Sequence, residues 1–130
     1  MGTVVVGYVP KPEGHAAVRA AVAEALLRNA SLVVVSSHRA ADDESAAAAE
    51  AELEAVRSVL DGSGVAYEVR QLGRGFEPAE DLLTIAESSD ADLIVIGLRR
   101  RSPVGKLILG SNAQRILLDA HCPVLAVKAG

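Results

Sequence analysis

The sequence predicts an α/β fold: an open, doubly wound parallel sheet of five strands with helices on both faces. Three observations predict it. Continuous apolar, β-branched runs recur at residues 3–9, 31–37 and 91–96, and uninterrupted apolar strands are those buried on both faces. Between them lie stretches whose apolar residues repeat at helical spacing. The two kinds of segment alternate as β-α-β-α-β-α-β-α-β, which requires crossover connections and therefore a parallel sheet.

The first strand, residues 3–9, is followed by Pro10, Pro12 and Gly14, which break the chain. The next segment, 15–29, places Val18, Val22, Ala25, Leu26 and Asn29 on one helical stripe. Residues 31–37 hold Leu32-Val33-Val34-Val35, a second buried strand. Asp42-Asp43-Glu44 opens a second helix, because acidic side chains suit the positive end of a helix dipole. Its stripe is Ala49, Leu53, Val56 and Leu60, and residues 61–64 end it. Residues 65–72 alternate, with Tyr67 and Val69 on one side and Glu68 and Arg70 on the other, as in an edge strand with one wet face. Pro78 suits a first helical position; Ala79, Leu82, Leu83 and Ala86 form that helix's face, and Ser88-Ser89-Asp90 closes it. A strand at 91–96, a loop at 98–109, a short helix at 112–120 and a strand at 123–128 complete the chain, which reads as one domain over residues 1–130.

Composition narrows the function. Seventeen acidic residues against thirteen Lys and Arg leave a net charge of −4, whereas a nucleic-acid-binding domain is normally basic. Tyr8, Tyr67 and Phe76 are the only aromatic residues and supply no stacking platform for single strands. The core must be built from Val, Leu, Ile and Ala. Cys122 is the single cysteine, so no internal disulfide framework exists, as suits a reducing compartment. No apolar run approaches the roughly 18 residues that span a bilayer, and the N-terminus lacks the basic start of a signal peptide. The expectation is a cytoplasmic protein that engages neither membrane nor nucleic acid.

The segment 97–111 carries the chemistry. Four positive charges, Arg99, Arg100, Arg101 and Lys106, lie between Gly97 and Gly110-Ser111 in an acidic chain. A strand end, a basic loop with glycines and a helix start together describe an anion site. The loop is longer than the usual βα connection of about 2–6 residues. If the first and fourth strands are neighbours, their C-terminal loops share one crevice. The candidate phosphate- or nucleotide-binding residues are Gly97, Arg99, Arg100, Gly110, Ser111 and Asn112, with Val9 and Ser37 at the ends of the first two strands. Ser111 is expected to cap the following helix and to offer its hydroxyl and N–H to phosphate. The bland alternative makes the arginines a solvated loop and the glycines simple turns.

Other motifs fail residue by residue. A Walker loop needs glycine at Arg100 and a hydroxyl at Leu107, and a dinucleotide fingerprint starting at Gly73 meets Pro78 at its third glycine. The histidines show no metal spacing, and neither His15 nor His121 has a catalytic partner at suitable spacing; His38 reads as surface. Cys122 reads as a small hydrophobe, and the acidic residues 42–54 as a solvated helix face.

From residue 3 to 128 the chain resembles the universal stress protein family, on the order of its segments, on Gly97 with Gly110-Ser111 thirteen residues later, and on the ending Cys122-Pro123-Val124-Leu125-Ala126-Val127-Lys128. The resemblance implies a sheet in the order 3-2-1-4-5. ATP-binding members carry G-x2-G-x9-G-[S/T]; Gly97, Gly110 and Ser111 match it, while Arg100 stands at the second glycine and Val9 at or near the place of a first-strand aspartate. The resemblance also implies a homodimer through the last strand, 123–128, whose apolar edge pairing would protect.

Two functions remain open at this level. One is a stress-response module binding ATP, AMP or another phosphate ligand at the ends of strands 1 and 4, with at most slow, incidental hydrolysis. The other is a family member that binds no nucleotide and acts through dimerisation and protein contacts.

Overall fold

A computed structural model describes residues 2–36, 43–71, 77–98 and 109–129. Five strands and four helices alternate: β1 (Thr3–Tyr8), α1 (Pro12–Arg28), β2 (Ser31–Ser36), α2 (Asp43–Asp61), β3 (Tyr67–Gln71), α3 (Pro78–Ser88), β4 (Leu93–Leu98), α4 (Ser111–Asp119) and β5 (Val124–Lys128). The strands form one sheet in the order β3-β2-β1-β4-β5, and every pairing is parallel. Val5 sits at the centre, opposite Val33 on one side and Ile94 on the other.

The twofold alternation of side chains divides the core into two layers. Val4, Val6 and Tyr8 of β1, with Leu32, Val34, Leu93 and Val95, face α1 and α2. Val5, Val33, Val35, Ile94 and Ile96 face α3 and α4. The central strands are therefore continuous apolar runs because both faces are covered. β3, at the edge, alternates half-buried Tyr67 and Val69 with exposed Glu68 and Arg70.

Helix α1 differs from the reading of its sequence in two ways. It begins at Pro12, where the missing N–H costs nothing, so His15 lies within its first full turn. Its buried face is Gly14, Ala17, Val18, Ala21 and Ala25, whereas Leu26 is 56% exposed and Leu27 82% exposed. Small residues face the sheet because α1 lies close over β1 and β4. A Cβ at Gly14 would overlap the Val9 carbonyl oxygen. Asn29 belongs to no stripe; it is the left-handed C-cap at φ 55°, and the Ala30 N–H returns to the Ala25 carbonyl at 2.9 Å.

β4 runs from Leu93 to Leu98, shifted two residues along from the expected 91–96. Ala91 and Asp92 belong to the turn out of α3: the Ala91 N–H reaches the Ala86 carbonyl at 2.9 Å, and the Asp92 carboxylate accepts the Thr3 N–H at 3.0 Å.

One polar cluster sits on the α1–α2 side. Tyr8 is 1% exposed and its hydroxyl has no hydrogen-bond partner among the described residues. Its ring meets the His15 ring edge-on at 5.4 Å, and His15 Nε2 lies 2.9 Å from a Glu52 carboxylate oxygen. Burial, then the Glu52 charge, pushes the Tyr8 pKa up to about 12.

Two outcomes follow from this packing. Gly14→Ala should destabilise the protein by about 1–3 kcal/mol in urea unfolding, because overlap outweighs the gain in helix propensity. A variant as stable as its parent would contradict the close approach. Tyr8→Phe tests the buried hydroxyl. The unfolded chain releases that proton near pH 10 and the folded chain near 12, so the contribution is complete below pH 10 and lost as pH rises through 12. The parent should lose about 2 kcal/mol more than Tyr8→Phe across that window, measured as unfolding free energy against pH.

Candidate functional site

β1 and β4 are neighbours in the sheet, and their connections leave towards opposite faces. β1 runs on to α1 on one face, and β4 is followed by α4 on the other. This is the topological switch point of a doubly wound sheet, where ligands bind beyond the carboxyl ends of the strands.

A pocket of ≈ 230 Å³ occupies that position. Gly7, Tyr8 and Val9 line it from the end of β1, and Ile96 and Gly97 from β4. Glu13 and Gly14 come from the first turn of α1, Pro78 and Leu82 from α3, and Asn112, Ala113 and Ile116 from α4. The wall is mostly apolar or glycine, with a few polar groups, the usual composition of a small-molecule site.

Three helices begin at this pocket. Pro12 and Pro78 stand in the first turns of α1 and α3, and Ser111 opens α4. Their N-cap residues, Lys11, Glu77 and Gly110, make no side-chain capping hydrogen bond. Pro12 and Pro78 carry no N–H and the Gly14 N–H donates to the Lys11 carbonyl at 2.9 Å, so what the three helix starts share at the pocket is the positive end of the dipole.

Glycine builds the pocket's edge. A Cβ at Gly97 would overlap the Glu13 carbonyl oxygen, so the end of β4 and the start of α1 approach as closely as backbone allows. Gly97 therefore has a packing reason of its own. Gly110 has none: a Cβ there would meet nothing within 4 Å among the described residues, and its φ of −70° suits any residue.

Of the residues singled out in the sequence, Val9, Gly97 and Asn112 line the pocket. Gly110 and Ser111 precede Asn112 at the mouth of α4, but their order of roles is reversed. Gly110 is the N-cap and Ser111 the first helical residue. Ser111 therefore cannot cap its own helix in the expected way, because a cap side chain must reach forward from outside the first turn. Arg99, Arg100 and Ser37, with Arg101 and Lys106, lie outside the described residues.

The sequence reading did not place Glu13, Gly14, Pro78 or Leu82 at the site. Glu13 and Gly14 were legible: Pro12 as a first helical residue starts α1 three residues earlier and brings both to the end of β1. Pro78 and Leu82 carried no such signal, since α3 reaches the pocket only by crossing over the sheet.

The remaining candidates are structural. Cys122 is half-buried against the α3–α4 layer, and burial, then Asp92, raises its pKa. The Tyr67 hydroxyl donates to Asp61, which raises its pKa. Among the described residues no three His, Cys, Asp or Glu side chains gather as a metal site, and no helix is long and apolar enough to cross a membrane.

The profile of the Universal stress protein family matches residues 1–128. A universal stress protein of Mycolicibacterium smegmatis is 46% identical over 126 residues, 96% of this chain and 96% of that one. A solved universal stress protein from Archaeoglobus fulgidus superposes with a TM-score of 0.80 at 37% identity, covering 98% of both chains. A second structure from that organism, in complex with dAMP, gives a TM-score of 0.74 at 30% identity, again over 98% of both chains. The sheet order, the full-length coverage and the level of identity agree, and the chain belongs to the universal stress protein family.

Proposed function

We propose that this protein is a stress-response binding module that takes an adenine mononucleotide in the pocket between the ends of β1 and β4. The observation that carries this reading is Gly110. Among the described residues nothing requires a glycine there for conformation or space, yet one stands at the start of α4, beside pocket-lining Asn112. A backbone without a side chain at a helix start admits a phosphate group close to the N–H groups. The relative from Archaeoglobus fulgidus crystallised with dAMP supports the ligand class.

The described lining residues offer one carboxylate and no imidazole or thiol. The reading is therefore of a binder whose occupancy informs a partner, in the cytoplasm, with any ATP hydrolysis slow and incidental.

Titration calorimetry with AMP, ADP, ATP and cyclic AMP at fixed salt tests the proposal. Binding is expected, with about 2.7 kcal/mol of added stability at a hundredfold excess over Kd. Gly110→Val should keep the parent's unfolding temperature without ligand and lose at least tenfold in affinity. No heat and no thermal shift at millimolar ligand would reject nucleotide binding.

A second reading rests on β5. Among the described residues it pairs only with β4, and Leu125 is 36% exposed on it. An open apolar edge invites a second copy of the chain, and antiparallel pairing there would form a homodimer. Light scattering should give a dimer for the parent and a folded monomer for Leu125→Asp. A parent that stays monomeric at high micromolar concentration would rule the edge out.

A further inference from the structure

Residues 111–114 read Ser-Asn-Ala-Gln, the spacing of a capping box. In that arrangement the serine stands just outside the helix and its hydroxyl accepts the N–H three residues on, while the glutamine side chain reaches back to the serine N–H. Local chemistry thus favours a helix that starts with Ser111 as its cap. The fold does something else. Gly110 is the N-cap, at φ −70° and ψ 166°, and Ser111 is the first helical residue. The first backbone bond of the helix runs from the Gln114 N–H to the Gly110 carbonyl at 3.0 Å.

The Gln114 side chain supplies the reason. Its amide passes over Ser111 and donates to the Leu109 carbonyl at 2.9 Å. A carbonyl only accepts, so Nε2 is the atom that faces it. This clasp ties the helix to the residue before its cap, and an amide engaged there does not complete the box. Ser111 is held in helical backbone, from which its hydroxyl cannot reach forward to the first turn. The N–H groups of Ser111, Asn112 and Ala113 precede the first helical bond and have no helical acceptor. They open beside the pocket, which Asn112 lines. Gln114 is exposed and does not line the pocket itself. Little else fixes this start: Ile116 is the buried residue of α4, and Arg115 makes exposed ion pairs with Glu80 and Asp119.

We infer that Gln114 is a positioning residue for the α4 end of the pocket: its side-chain amide, by clasping the Leu109 carbonyl, fixes the helix start at Gly110 and keeps Ser111 from sealing the first-turn N–H groups that a phosphate would take. The inference rests on the nucleotide-binding reading above and adds the residue that keeps the site open. Release of the clasp lets α4 return to the start its local sequence favours. A serine cap must then be displaced before phosphate binds, and that competition lowers affinity without unfolding the protein.

Gln114→Met tests this, because it keeps the length and helix propensity of the side chain and removes the donor. Calorimetry reads AMP affinity, and carbon NMR reads the Ser111 Cα and Cβ shifts, which separate helical from extended backbone. The parent should show helical shifts at Ser111. Gln114→Met should move them towards extended values, unfold within a few degrees of the parent and bind AMP about fivefold more weakly. Gln114→Glu serves if that variant does not fold. It cannot donate to the carbonyl, yet it completes a capping box with Ser111. It should therefore be at least as stable as the parent and bind AMP more weakly at both low and high salt. A loss that high salt abolishes is charge repulsion and counts against the clasp. If Ser111 keeps helical shifts in both variants, or moves while AMP affinity stays at the parent's value, Gln114 does not position the site and the binding proposal stands without it. If the parent binds no adenine nucleotide, both fall together.

Discussion

The close approach of α1 to the sheet is the constraint on which the rest of this molecule depends. Gly14 lies against the Val9 carbonyl and Gly97 against the Glu13 carbonyl, so the first turn of α1 is wedged between the ends of the two central strands. Backbone-to-backbone contact of this kind leaves no room for a methyl group and little freedom to slide. It sets the depth of α1 on the sheet, and hence the choice of alanines for its buried face. It also sets the wall of the pocket, because the turn that packs there presents Glu13.

The two layers of the core then do different work. The α1–α2 layer is built around large buried residues, Tyr8, Leu53 and Leu60 among them, and seals one face of the sheet. The α3–α4 layer includes the helix that starts at the pocket mouth, and Ile116 is the one buried residue of α4. Leu118, in the same helix, is 82% exposed. A helix of nine residues with so little burial depends on its neighbours for stability. Arg115 bridges Glu80 of α3 and Asp119 of its own helix at 3.8 and 3.7 Å, contacts exposed enough to add little energy. The pocket thus lies between one rigid wall and one lightly held one.

Much of the architecture was legible in the residues. The runs at Val4-Val5-Val6 and Leu32-Val33-Val34-Val35 could only be strands covered on both faces, and alternation at 67–70 placed β3 at an edge. Pro78 marked the start of α3 correctly. The errors share a cause. Leu26 was assigned to the buried stripe of α1 because it is large and apolar, but the sheet lies too close for a large side chain on that face. Ser111 was read as a cap because serine favours that place, but the helix begins one residue earlier relative to it than propensity suggested. The pocket was legible in part: Val9, Gly97 and Asn112 were found from loop and glycine positions, while Leu82 arrives from an element remote in the chain.

By itself the sequence determined the alternation of strands and helices and the parallel sheet, because both follow from periodicity and order along the chain, and it carried the family resemblance in Gly97, Gly110-Ser111 and the ending 122–128. Which glycine serves packing and which serves open space was decided only in three dimensions. Gly97 and Gly110 are the same residue in the sequence; one faces a carbonyl oxygen and the other faces nothing within 4 Å among the described residues. The difference lies in what the fold brings opposite each Cα, and no local pattern encodes contacts between residues 84 positions apart, as Glu13 and Gly97 are.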